Sequence, residues 1–62
     1  MGSLPNFLKQ RRLKLGMTLK QVGGLAGLSP AVVWQYESGY RTPKLGNLRK
    51  LAKVLKFKVE AP

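Results

Sequence analysis

The chain contains no cysteine and no histidine, and only two acidic residues, Glu37 and Glu60, among its 62. Without cysteine there is no disulfide and no thiolate nucleophile, and without either residue no His/Cys metal site forms. Two carboxylates and no imidazole leave neither a general base nor an activated nucleophile, so the sequence reads as a non-enzyme with no metal and no cofactor. Gly23-Gly24 followed by Gly27 has the outline of a phosphate-binding turn, but the strand that should precede it and the Lys-Ser/Thr that should follow are missing. No apolar run approaches the roughly 18 residues of a membrane span. No charged-then-apolar leader opens the chain either, and the expected location is cytoplasmic.

What is abundant is positive charge. Twelve Lys and Arg give a formal net charge of +10. Folding does not ask for that imbalance, because self-repulsion costs stability. A polyanionic partner is the usual reason, and nucleic acid is its commonest form. A merely soluble surface is the plainer alternative. An anionic membrane surface fits less well, since no long basic amphipathic helix is present. At this length the chain is one small domain, near the lower limit for folding unaided.

Four helical segments follow from periodicity and punctuation. Leu4, Phe7, Leu8 and Leu15 recur at helical spacing through "LPNFLKQRRLKL", and Gly16 ends that run. Thr18 is a good N-cap for "LKQVGGLA", which Gly27 stops. Ser29 caps a third segment with Pro30 at its first helical position, and Gly39 closes it after about Ser38. Pro43 precedes a fourth, in which Leu45, Leu48, Leu51, Ala52 and Leu55 form one stripe. The period then changes: in residues 56–62, Phe57 and Val59 alternate with Lys56, Lys58 and Glu60, as in a half-buried strand. A lone strand either frays or pairs with a second copy of itself, and only the second choice is expected to bury Phe57 and Val59.

The second and third segments meet the spacing of a helix-turn-helix over residues 18–38. Counted from Leu19, the motif needs a small residue fifth, a turn glycine ninth, and apolar residues fourth, tenth, fifteenth and eighteenth. Gly23, Gly27, Val22, Leu28, Val33 and Tyr36 occupy those places. Gly23 lets the helices close on one another, Gly27 supplies a positive-φ turn, and the four apolar residues seal the junction.

On these residues the chain resembles the lambda repressor/Cro-like, or Xre, family of helix-turn-helix domains, from about Leu8 to Leu55. The resemblance implies an all-α domain of four to five helices over 1–55, with a recognition helix at about 30–38. It also implies a structural ion pair between Arg12 and Glu37, joining the first and third helices. The tail in "VLKFKVEAP" is similar to HipB-type antitoxin regulators. That second likeness implies a homodimer held by strands through Phe57 and Val59, an operator-binding repressor, and a toxin protein as a further partner. Three positions depart from the family pattern: Leu19 stands where Gln often binds a phosphate, Gly24 weakens its helix, and Lys56 replaces a usual glycine.

With Val33, Tyr36 and Glu37 turned inward, the 100° helical step turns Ala31, Trp34, Gln35 and Ser38 outward, with Val32 at the margin. Gln35 suits a bidentate bond to adenine, and Ala31 and Val32 suit thymine methyls. Trp34 has three readings: a groove contact, a prop against a neighbouring helix, or a protein contact. Arg41 and Lys44 are best placed for phosphates, with Lys20 and Asn47 next, and the backbone N–H groups behind Thr18 offer another anion contact. Adding Ser29 and Pro30 at the N-terminal end of the recognition helix completes the candidate contact set for double-stranded DNA. Lys9, Arg11, Lys14, Arg49, Lys50 and Lys53 read as solvated faces. Two function classes remain: a sequence-specific DNA-binding regulator, and a protein-binding module using Trp34, Leu13, Leu19 and Leu25.

Overall fold

A computed structural model describes residues 3–59. It has four helices: α1 (Leu4–Lys14), α2 (Leu19–Ala26), α3 (Pro30–Ser38) and α4 (Leu45–Leu55). Three of the four start on a side-chain cap. The Ser3 hydroxyl accepts from the Asn6 amide, and the Ser29 hydroxyl accepts from Val32 N–H at 3.1 Å. Thr18 forms a full capping box: its hydroxyl accepts from the Gln21 amide at 3.1 Å, while the Gln21 side chain accepts from Thr18 N–H at 2.8 Å. Only α4, which starts after Lys44, lacks a side-chain cap.

The core is one cluster of Leu8, Val22, Ala26, Val33, Tyr36, Leu51 and Leu55, drawn from all four helices. Packing is organised around α2 and α3: α3 lies against both α2 and α1, and α4 closes on α2. Gly23 is what lets α3 come so near. A Cβ built there would sit 2.6 Å from the Leu28 carbonyl oxygen and 3.3 Å from the Pro30 nitrogen. The same glycine's carbonyl accepts the Leu28 amide at 2.8 Å across the turn, where Gly27 takes φ 69°. The α2–α3 angle is therefore set by backbone touching backbone.

The tail differs from the strand expected over residues 56–62. Among the described residues no strand forms, and Glu60, Ala61 and Pro62 lie outside them. Lys56 takes the left-handed conformation, φ 58° and ψ 55°, despite carrying a side chain. The Arg11 guanidinium holds that corner, donating to the Leu55 carbonyl at 2.9 Å and to the Lys56 carbonyl at 2.9 Å. Phe57 N–H donates back to the Ala52 carbonyl at 3.0 Å, so it is spent on the helix end rather than on a ladder. The Phe57 ring meets Phe7 edge-on, with centroids 5.0 Å apart and planes at 88°. Burial of Phe57 thus begins within its own chain, which corrects the expectation that only a second copy provides it. It also removes Arg11 from the solvated residues.

Candidate nucleic-acid interface

The recognition-helix candidate is uncharged over its outer face for a reason visible in the packing. Val33 and Tyr36 point into the core, and Glu37, its single charged residue, turns inward to α1. There Arg12 donates two parallel hydrogen bonds to the Glu37 carboxylate, Nε to Oε2 at 2.7 Å and Nη2 to Oε1 at 3.0 Å. A third Arg12 donor reaches the Met17 carbonyl at 2.9 Å, tying the α1–α2 turn to the same point. The two side chains keep only 11% and 5% of their surface exposed. Donating to the Glu37 carboxylate raises the Arg12 pKa above its ordinary value; burial opposes this and the carboxylate's charge adds to it. A charge pair neutralised internally leaves α3 free to present neutral groups outward.

On that outer face Ala31, Trp34 and Ser38 are exposed, while Val32 and Gln35 are half-buried. Ser38 spends its hydroxyl on the Gln35 carbonyl at 3.2 Å. Trp34 is 53% exposed, and its remaining surface borders a narrow crevice shared with Lys9 of α1. It is a half-exposed surface residue.

The predicted phosphate-contact residues gather in two clefts. Thr18, Lys20 and Pro30 line one together with Leu13 and Leu19, where the N-termini of α2 and α3 converge. Backbone N–H groups at two helix starts and an exposed ammonium make that end attractive to anions. Arg41, Lys44 and Asn47 line the other with Tyr36 and Thr42, beyond the C-terminus of α3. Arg41 is aimed by its own backbone, since its N–H donates to the Gln35 carbonyl at 3.1 Å. Asn47 is engaged differently from the expectation: its amide donates to the Tyr36 hydroxyl at 3.0 Å and is half-buried, so it braces α4 on α3. Thr42 was missed, having only a generic loop signature. Ser29 is exposed, its hydroxyl committed to the cap of α3.

A short α2, a glycine-mediated turn and an α3 whose outer face is neutral, with Lys20 near one end and Arg41 and Lys44 near the other, define a helix-turn-helix domain. Comparison with protein families agrees: the helix-turn-helix family matches residues 8–61, and the chain belongs to it. Among solved structures, it is similar to the P22 c2 repressor protein crystallised in complex with synthetic operator 9T. The two share 26% identity and a TM-score of 0.89, over 94% of this chain and 88% of that one. The fold is accordingly of the lambda-repressor-like kind. A comparison with curated proteins finds no match.

Proposed function

We propose that this chain is a sequence-specific double-stranded DNA-binding transcriptional regulator, acting by binding and not by catalysis. The observation that carries the reading is the pairing of α3's neutral, exposed face with cationic groups at both ends, Lys20 beside the helix starts at one and Arg41 with Lys44 at the other. The likeness to a repressor crystallised on its operator supports it. In this reading α3 enters the major groove, where Gln35 bonds an adenine edge and Ala31 and Val32 touch thymine methyls. Arg41 and Lys44 at one end, and Lys20 with the α2 amides at the other, hold phosphates and set the register. Asn47 serves indirectly, by fixing Tyr36 and with it the tilt of α3.

The regulator acts as a homodimeric repressor in the cytoplasm, two copies of α3 spanning half-sites one helical turn apart. Dimerisation through the tail uses Val59 and the half-buried Phe57, whose ring already meets Phe7 on one edge. Ending the chain after Phe57 leaves the Arg11 clamp intact, and sedimentation should then report a folded monomer; an unchanged dimer would locate the interface elsewhere. The antitoxin role rested on a tail strand, and no observation among the described residues favours it over a simple repressor.

Selection from random duplexes tests the function. A defined site with two half-sites is expected, and affinity for it should fall with salt by about 0.9 log units per log unit for each phosphate held. Recovery of unrelated sequences with a flat salt dependence would end the reading.

A further inference from the structure

The flank of α2 that faces α4 is chemically unlike the flank that faces α3. It carries Leu25, which is 70% exposed in the last turn of α2. Leu25 stands as a ridge between two depressions. On one side the surface runs over Gly24 toward Leu15 and Met17. On the other lies a groove between α2 and α4, lined by Leu25, Val54, Lys50 and Lys53. The last three lie at i, i+3 and i+4 along α4, so two ammonium groups stand beside the same apolar floor. This groove shares no residue with either cleft flanking α3.

Neither lysine has an ion-pair partner among the described residues, where the single acid, Glu37, is closed off against Arg12. We propose that this groove docks an acidic amphipathic helix of a partner protein. Its apolar side chains would cover Leu25 and Val54, and its carboxylates would meet Lys50 and Lys53. The charge selects this occupant. A second copy seated on this groove would bring no described carboxylate to the two lysines, since Glu37 is already closed off against Arg12. A duplex would satisfy the lysines but would leave Leu25 uncovered, since a phosphate backbone offers no apolar face. An acidic amphipathic helix satisfies both demands at once. Because the groove is separate from α3's flanking clefts, the protein binds DNA and this partner together, and the inference stands whether or not the DNA reading does.

The test uses the whole chain and two dye-labelled peptides. One is an amphipathic helix with Leu at i, i+3, i+4 and i+7 and Glu elsewhere; the other has the same composition in scrambled order. Anisotropy should show the ordered peptide binding about tenfold or more tighter than the scrambled one, as expected when a few central contacts dominate. Amide shifts should centre on Leu25, Lys50, Lys53 and Val54. Leu25→Ser, harmless to folding at so exposed a position, should remove about tenfold of that affinity, and Lys50→Glu with Lys53→Glu a comparable amount. Saturating duplex DNA should not displace the peptide. Equal binding of both peptides would reduce the groove to bulk charge and overturn the proposal. So would an unaffected Leu25→Ser variant, or displacement by DNA.

Discussion

Gly23 and Gly24 are adjacent in α2, and replacing each with alanine should move stability in opposite directions. In a helix interior the change removes backbone freedom from the unfolded chain and gains about 1 kcal/mol. Gly24 has nothing within 4 Å of where a Cβ would sit. Gly24→Ala should therefore realise nearly the whole gain and raise Tm by about 4–8 °C for a domain of this size. At Gly23 the same methyl would lie 2.6 Å from the Leu28 carbonyl oxygen and 3.2 Å from the Ser29 carbonyl carbon. Both are backbone atoms that no rotamer change can move aside. The start of α3 must retreat, straining the Leu28-to-Gly23 hydrogen bond, and overpacking of this kind costs about 1–3 kcal/mol. Subtracting the helical gain leaves Gly23→Ala about 0–2 kcal/mol less stable than the parent, in contrast to the gain at Gly24. Thermal unfolding followed by circular dichroism measures both variants. Shifts of the same sign and size would refute the claim that backbone contact at Gly23 sets the α2–α3 angle.

Glu37→Ala should cost about 1–3 kcal/mol by leaving the half-buried Arg12 without its carboxylate, whereas Arg12→Met combined with Glu37→Leu should recover most of it; urea unfolding of the two variants checks this. Lys56→Gly should stabilise by about 0.5–1 kcal/mol, because glycine relieves the left-handed corner at no steric cost, and an unchanged midpoint would mean the Arg11 clamp already offsets the strain. In DNA binding, Gln35→Ala should lose roughly 1–3 kcal/mol at the preferred site alone. Arg41→Ala should instead weaken every duplex alike and reduce the salt slope by about one, both read from titrations at several salt concentrations.

The parts legible in the sequence are those with short-range causes. Thr18, Ser29 with Pro30, and Gly27 declare helix boundaries through bonds that span three or four residues, and the spacing of Val22, Gly23 and Val33 follows from helix geometry. The Thr18–Gln21 capping box was equally readable, since Ser/Thr followed three residues later by Gln is its signature. Other features depend on where distant segments land. Arg11 looks like one more basic residue on an exposed helix until α4, 44 positions away, brings its last carbonyls within reach. The bond from Asn47 to the Tyr36 hydroxyl, eleven positions away, likewise depends on how α4 lands on α3. Alternation of Phe57 and Val59 with lysines is the pattern of a strand, whereas the aromatic partner that Phe7 offers Phe57 is announced by no local pattern.

The most direct test of the central claim is an amide NMR titration of the whole chain with a duplex carrying its selected site. Insertion of α3 predicts that the largest shifts fall on residues 29–35, with further shifts at 18–20 and 41–44, while Arg49, Lys50 and Lys53 stay nearly still. Shifts strongest on those three α4 residues, and the same for an unrelated duplex, would mean that charge alone binds DNA and that α3 reads nothing.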